Sequence, residues 1–235
     1  MQQLLFVFLM PQVIAAPQAL PATWSTTWEQ SAFRHRLLLT LVLLLLLVAN
    51  LPHFFAWLQA RPGAQLPDPL LALLPVYDVS WPTFIVIYLS AGVTLTHVLP
   101  RPYALLRLLG AYWLMQTCRL LLLVALPLEP PVGILPLRDP IIDTFIYVAA
   151  GPITKDLFFS GHTATIMLLA LSVAGPRRRW LLAATAMVGL LVLIQHVHYT
   201  YDVVAAPFFA LGCYWLAGWW ADTGAKELNS FSTEK

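Results

Sequence analysis

The sequence predicts an all-α membrane protein with six transmembrane helices. Hydrophobic residues make up 60% of its 235 residues and charged residues only 10%, whereas ordinary soluble domains carry about 25% charged residues. The long apolar runs are rich in leucine and lack the alternation of barrel strands, so helices are the structures that satisfy their backbone in lipid. The formal net charge of +2 is too small to indicate nucleic acid as a partner.

Six apolar segments are long enough, or nearly so, to cross about 30 Å of hydrocarbon at about 1.5 Å per residue. They are 37–58, 81–99, 103–126, 157–174, 180–197 and 203–220. The last three are short, so their boundaries are the least well defined. We expect one catalytic domain over residues 37–222, preceded by an N-terminal interfacial segment (1–36) and followed by a short cytoplasmic tail (223–235).

The N-terminal region has features of two kinds of segment. Residues 1–16 are apolar and end in Ala15-Ala16, a pair of small residues that resembles a cleavage site. However, no Lys or Arg precedes Arg34, so the basic region with which secretory signals begin is missing. We therefore expect an interfacial segment, with a cleaved signal as the alternative.

Basic residues predict the orientation of the helices. With the N-terminus in the cytoplasm, the cluster Arg177-Arg178-Arg179 and most other Lys and Arg residues fall on the cytoplasmic side, as the positive-inside rule requires. Two proline-rich linkers, 59–80 and 127–156, then lie on the opposite side. Because proline excludes a long regular helix there, we expect both linkers to cap the bundle on its non-cytoplasmic face.

Polar residues crowd two stretches that reach this same face, 155–163 and 196–202. Ionisable residues at membrane depth are costly and tend to mark functional sites. His198 and Asp202 are four residues apart, which on a helix lets the carboxylate accept a hydrogen bond from the imidazole. The other ring nitrogen is then free as a base or nucleophile. His162, about five residues into its predicted helix, could give a proton to a leaving oxygen.

The two stretches contain motifs that are more specific than their composition: Ser160-Gly161-His162-Thr163 and His198-Tyr199-Thr200-Tyr201-Asp202. Together they resemble the paired signatures of the sphingomyelin synthases, a branch of the type 2 phosphatidic acid phosphatase superfamily. The first signature reads Asp-x-x-x-Ser-Gly-His-Thr, and Asp156 stands at its acidic position. The second reads His-x-His-Tyr-Thr-x-Asp, which the chain matches throughout from His196 to Asp202.

The resemblance implies a mechanism with a covalent intermediate. His198 would attack the phosphorus of a phospholipid and form a phosphohistidine, while Asp202 orients it and stabilises its charge. His162 would protonate the departing diacylglycerol oxygen and then activate an incoming alcohol. The synthases transfer phosphocholine or phosphoethanolamine to ceramide, whereas relatives that use water act as phosphatases or phospholipase C-like hydrolases.

Five further residues are candidates for holding the substrate. They are Asp156, Ser160, Gly161, Arg119 and Tyr199. Backbone N–H groups after Ser160-Gly161 can hold phosphate oxygens at a helix start. Arg119 would neutralise charge that builds on the phosphate, although its alternative is to snorkel toward the headgroups. Three roles stay open for Asp156: contact with a headgroup, relay of a proton, or capping of its helix. The spacing of Cys118 and Cys213 does not indicate a metal site, so we expect neither metal nor cofactor.

Departures from the superfamily's patterns separate transfer from hydrolysis. The general phosphatases have a Lys-x6-Arg-Pro motif, but Thr94 stands at the lysine position before Arg101-Pro102. They also place an arginine six residues before the nucleophilic histidine, where this chain has Val192. Both absences favour the synthase branch, whose own upstream motifs are weakly echoed in Leu66-Pro67-Asp68 and in residues 116–127. A lipid hydrolase and a non-catalytic lipid-binding protein are the alternatives.

The expected partners are a phospholipid donor, a lipid alcohol acceptor and the membrane. The chain lacks the large soluble N-terminal region of the animal synthases, which favours a bacterial inner membrane with a periplasmic active site. In a eukaryote the same non-cytoplasmic face would belong to the Golgi or the plasma membrane. The donor headgroup, the acceptor and the formation of a homo-oligomer stay open at this level.

Overall fold

A computed structural model describes residues 23–139 and 153–233 of the chain, with residues 222–233 as backbone. This part of the chain contains seven α-helices and no strand, apart from an isolated bridge between Ala64 and Leu128. The helices are α1 (Trp24–Trp28), α2 (Ser31–Ala60), α3 (Ser80–Val98), α4 (Pro102–Ala125), α5 (Gly161–Leu171), α6 (Pro176–Ile194) and α7 (Thr200–Thr233). The predicted all-α class is therefore confirmed.

In the part of the chain that the structure describes, four helices are long and apolar enough to cross a membrane: α2, α3, α4 and the part of α7 from Thr200 to Ala221. Helix α2 is the most apolar, with a mean hydropathy of 2.3, and most of its surface is left uncovered by the rest of the chain. Leu45 on this helix is 69% exposed. Such a surface fits contact with lipid, because water would leave a large apolar area unburied.

The prediction of six transmembrane helices is not confirmed. Helix α5 has 11 residues and rises only about 16 Å at 1.5 Å per residue, short of the roughly 30 Å of hydrocarbon. Helix α6 has 19 residues, but three arginines occupy its first turn. Its uncharged remainder, residues 180–194, rises about 22 Å. Both helices instead pack extensively against each other and against their neighbours.

Helices α4, α5, α6 and α7 surround the largest apolar core of the described chain. Small residues on α7 such as Ala206 and Ala210 are fully buried in it. On α6, a Cβ added to Gly189 would lie 2.9 Å from Val203 Cγ1 of α7 and 3.7 Å from a methyl carbon of Thr163 on α5. The glycine therefore lets three helices approach closely just below the starts of α5 and α7.

The ends of several predicted segments differ from the structure. The first long helix begins at Ser31 and not at residue 37, after the short helix α1, whose Trp24 indole donates to Leu99 O. Residues 157–160 are not helical, since Ser160 is the N-cap of α5. The helix of the last segment continues through the predicted tail to Thr233. Of the predicted interfacial segment, residues 1–22 lie outside the described residues.

The described parts of the two proline-rich linkers lie side by side at one end of the bundle. Ala64 N–H donates to Pro127 O and Glu129 N–H donates to Ala64 O. The buried side chain of Gln195, just after α6, donates to Ser80 Oγ at 2.8 Å and accepts from Val79 N–H at 3.1 Å. These contacts hold the linkers against the end of α6 and the start of α3.

Candidate active site

The chain turns sharply between α6 and α7, and His198 lies in this turn. His196 has a φ of 55°, a conformation that is uncommon for a residue other than glycine. Its Nδ1 donates to Val132 O at 3.1 Å, because a carbonyl only accepts. Helix α7 begins at Thr200, three residues before the predicted segment 203–220, so His198 precedes the helix and Asp202 lies in its first turn.

Asp202 nevertheless reaches back to His198. Its Oδ2 accepts the Tyr199 N–H at 2.9 Å and lies 3.4 Å from His198 Nδ1. Asp202 is fully buried and His198 is 2% exposed. A carboxylate that only accepts requires the hydrogen on Nδ1, so the neutral imidazole keeps the lone pair on Nε2. This is the tautomer that a nucleophilic histidine needs.

His162 faces His198 across a short gap. It is the second residue of α5, nearer the helix start than predicted. Its ring centroid lies 6.2 Å from that of His198 and 5.8 Å from that of Phe84, both in edge-to-face geometry. Its Nδ1 is buried and has no hydrogen-bond partner among the residues that the structure describes. A reacting group between the two rings could therefore meet both imidazoles.

Arg119 of α4 lies directly beneath the start of α5. The residue is 4% exposed, and its Nε donates to Phe159 O at 3.0 Å. Its Nη2 forms an ion pair with Asp156 Oδ1. A Cβ on Gly161 would lie 2.7 Å from the guanidinium carbon, so glycine is required for this approach. Because a guanidinium has five N–H donors, further donors are left for a phosphate.

The N-terminus of α5 combines several groups that favour an anion. Ser160 is fully buried, and its Oγ accepts from Thr163 N–H at 3.4 Å, as an N-cap does. The helix start adds partial positive charge from its backbone N–H groups. The guanidinium of Arg119 lies against Gly161. Phosphate chemistry needs such charge where negative charge develops.

Most of the predicted site residues converge, and one turns away. Those that come together are His162, His198, Asp202, Asp156, Ser160, Gly161 and Arg119. The hydroxyl of Tyr199 donates instead to Glu129 O at 2.9 Å and accepts from Leu66 N–H at 3.2 Å. Tyr199 is 1% exposed, and its hydroxyl binds the two linkers and not the histidine pair.

Several residues around the site were not among the predicted ones. Asp68 accepts hydrogen bonds from Thr200, which lies within the motif 198–202. Tyr88 donates to Asp139 Oδ1 at 2.5 Å, and its ring stacks on Phe84, the ring that contacts His162. Their sequence signal was weak, because each lies far along the chain from its partner. Leu66-Pro67-Asp68 offered the one hint, through its likeness to a family motif.

Lys155 and Glu129 link the first motif to the linkers. Lys155 Nζ donates to Glu129 Oε1 at 2.8 Å and to Arg61 O. Gly63 N–H donates to the same carboxylate oxygen at 2.8 Å. The hydrogen bond from Lys155, together with that from Gly63, holds the pKa of Glu129 below its ordinary value. The Lys155 side chain, although next to Asp156 in the chain, therefore binds Glu129 and Arg61 and not the His162–His198 pair.

A cavity of about 460 Å³ lies between the two linkers and the turn before α7, and neither His162 nor His198 lines it. Residues from both linkers, together with His196 and Tyr199, form its walls. Among residues 23–139 and 153–221, whose side chains the structure describes, no three His, Cys, Asp or Glu side chains converge in a way that would hold a metal ion.

Fold and site together define a helical protein of membrane type with a buried His–His–Asp cluster beside a paired arginine. Residues 155–218 match the family model described as PAP2 superfamily C-terminal, and this range contains both histidines and Asp202. No curated protein and no solved structure matches the chain. The match supports the superfamily and an enzyme that acts on phosphate groups of lipids, without distinguishing its branches.

Proposed function

We propose that this protein is a phospholipid headgroup phosphotransferase of the sphingomyelin synthase type. It moves phosphocholine or phosphoethanolamine from a glycerophospholipid to ceramide or a similar lipid alcohol. The observation that carries the proposal is the pair of facing imidazoles, 6.2 Å apart between ring centroids, with Asp202 behind one ring and the helix start near Arg119 beside the other.

The first half-reaction forms the phosphohistidine. The lone pair of His198 Nε2 attacks phosphorus, and the bond between phosphorus and the diacylglycerol oxygen breaks. His162, in its protonated form, gives its proton to that oxygen, and diacylglycerol leaves. Arg119 and the N–H groups at the start of α5 stabilise the charge on the phosphoryl oxygens. Asp202 stabilises the positive charge that the His198 ring acquires.

The second half-reaction returns the enzyme to its starting state. His162, now neutral, takes the proton of the acceptor hydroxyl as that oxygen attacks phosphorus. The bond between phosphorus and His198 Nε2 breaks, and the ring recovers its lone pair. The product carries the headgroup phosphate, and His162 is protonated again for the next cycle.

Hydrolysis is the second candidate, because members of the matched superfamily are typically phosphatases or phosphotransferases. The chemistry is the same with water in place of the alcohol. Thr94 and Val192 favour transfer, since they replace the lysine and arginine of the general phosphatase pattern.

One experiment separates these functions. Purified protein in nanodiscs is incubated with labelled phosphatidylcholine and phosphatidylethanolamine, with and without ceramide, and the lipids are followed by mass spectrometry. We expect a new phosphorylated acceptor lipid and diacylglycerol in equal amounts, both dependent on ceramide and both abolished by His162→Gln. Diacylglycerol released equally fast without ceramide would identify a hydrolase. Binding without turnover across the panel would identify a lipid-binding protein.

We also propose that the site opens on the non-cytoplasmic face, that of a bacterial inner membrane. Support comes from the basic residues at the other end of the bundle, where Arg36 donates to Trp220 O and Arg177 contacts His97. Val132, on the site's side, is 78% exposed. In a background without Cys118 and Cys213, an impermeant maleimide should label Val132→Cys in spheroplasts and spare Arg179→Cys. The reverse pattern would invert the orientation.

A further inference from the structure

Asp68 lies in the first linker, 132 residues before the residue it holds. Its Oδ2 accepts the Thr200 N–H at 2.6 Å, and its Oδ1 lies 3.1 Å from Thr200 Oγ1. Oδ1 also accepts the Leu71 N–H at 3.0 Å. One carboxylate therefore joins the linker to the first residue of α7.

The start of α7 needs such an outside acceptor. The Tyr199 carbonyl accepts from Val203 N–H, which makes Tyr199 the residue at the N-cap position. The residues that usually stand there are Ser, Thr, Asp and Asn, whose side chains accept a backbone N–H. The Tyr199 hydroxyl is instead turned to the linkers. Asp202 takes the Tyr199 N–H, and Asp68 takes the Thr200 N–H.

This arrangement connects Asp68 to the histidine pair. The same Asp202 oxygen that accepts the Tyr199 N–H faces His198 Nδ1. The position of His198 relative to that oxygen thus depends on where the backbone of residues 199–200 lies. A hydrogen bond from Leu66 N–H to the Tyr199 hydroxyl holds this backbone from the same linker.

We propose that Asp68 is a positioning residue for the His198–Asp202 pair: it caps α7 from a distant linker and thereby fixes the turn that aims the imidazole. The inference rests on the proposed function in one respect, that His198 carries out the reaction. Asp68 touches neither imidazole through any hydrogen bond found in the described residues, so it acts through Thr200.

The electrostatics of Asp68 agree with this role. Burial raises the pKa of its carboxyl group, but the hydrogen bonds from Leu71 and Thr200 outweigh burial and hold the pKa below its ordinary value. The group is therefore an anion at neutral pH. An anion is favoured at a helix N-terminus, where the backbone dipoles leave partial positive charge.

The test needs a control variant that removes a similar carboxylate cap from the start of a different helix. Asp78 serves as this control, because its Oδ1 accepts from Ser80 N–H at 3.0 Å and Ser80 Oγ at 2.7 Å at the start of α3. Asp68→Ala and Asp78→Ala each remove a linker carboxylate from a helix start. Asp68→Asn keeps the size of the side chain and one acceptor oxygen. Thr200→Val removes only the hydroxyl contact.

Two readouts distinguish positioning from general stability. The first is the rate of phosphoenzyme formation with labelled phosphatidylcholine. For this step Asp68→Ala should lower kcat up to about 100-fold and change KM less than threefold. Small misplacements of a reacting group have effects of that size. Asp68→Asn should lie between Asp68→Ala and the unchanged protein. Thr200→Val should show a smaller loss, and Asp78→Ala none.

The second readout does not depend on activity. In protein labelled with ¹⁵N-histidine, the His198 signal, identified by its absence in His198→Gln, should show the Nδ1–H tautomer. Asp68→Ala should give a mixture of tautomers, and Asp78→Ala should not. An unchanged His198 signal in Asp68→Ala, or in Asp68→Asn if the alanine variant does not fold, overturns the proposal. Absence of turnover in the unchanged protein would instead overturn the proposed function, and the tautomer comparison would still decide the role of Asp68.

Discussion

Replacing Asp156 by Asn should destabilise the protein by about 3 kcal/mol, because it leaves the Arg119 guanidinium buried without its counter-charge. Removing one partner of a buried ion pair costs about 3–5 kcal/mol. Arg119 is 4% exposed, but the Asp156 side chain is 24% exposed, so the lower end applies. The unfolding equilibrium should shift about 100-fold, since about 1.4 kcal/mol is tenfold.

The assay is denaturant unfolding in nanodiscs, followed by the fluorescence of the chain's nine tryptophans. Arg119→Met added to Asp156→Asn removes the stranded charge and should restore at least half of the lost stability. The control pair is Lys155 and Glu129, whose carboxylate side chain is 35% exposed and whose loss should cost less than about 1 kcal/mol. Losses that simply add in the double variant would refute this reasoning.

Three further predictions concern groups around the site. Gly161→Ala should lower activity at least tenfold and cost about 1–3 kcal/mol in thermal unfolding, because its Cβ would lie 2.7 Å from the Arg119 guanidinium carbon; Gly212→Ala, with nothing within 4 Å, should be neutral. Because the pKa of Glu129 is lowered, its ion pair contributes fully to the stability of the fold above the ordinary value of 4.5, and this contribution is lost as pH falls through the lowered pKa. The difference in unfolding free energy between the unchanged protein and Glu129→Gln should therefore be constant near neutral pH and vanish in acid. Gln195→Leu should cost about 1–3 kcal/mol in chemical unfolding by leaving buried polar groups unpaired, and a loss under about 0.5 kcal/mol would contradict a role for its hydrogen bonds to Ser80 and Val79.

The apolar runs predicted the long helices well. The third predicted segment, 103–126, corresponds to α4 (Pro102–Ala125), where a proline suits the first position of a helix. Hydrophobic length and helix length agree here because a helix satisfies the backbone hydrogen bonds of a lipid-facing segment within the segment itself. The second segment, 81–99, agrees equally with α3 (Ser80–Val98).

The fourth segment was predicted too long for a physical reason. Residues 157–160 are apolar enough to continue a helix, but their backbone has tertiary partners instead. Phe159 O accepts from the Arg119 guanidinium, and Ser160 N–H donates to Asp202 O. Hydropathy counts side chains and does not detect a peptide group that is satisfied from another helix. The same contacts bring the two motifs together.

Motif spacing predicted the candidate histidines, but it did not predict the linker residue that holds the second motif in place. His162, His198 and Asp202 stand within short motifs whose residue types are chemically specific. Asp68 acts on Thr200 across 132 residues, a relation that no local spacing contains. Only the three-dimensional arrangement connects the linker to the start of α7.

The most direct test of the account is to look for a phosphohistidine on His198. Protein in nanodiscs is mixed with phosphatidylcholine labelled in its phosphate, quenched in base, digested and analysed by mass spectrometry. We predict phosphocholine on the peptide that contains His198, no such adduct in His198→Ala, and normal labelling in His196→Asn, which keeps a residue tolerant of the positive φ. Turnover without a phosphocholine-modified peptide, or full activity of His198→Ala, would contradict the account.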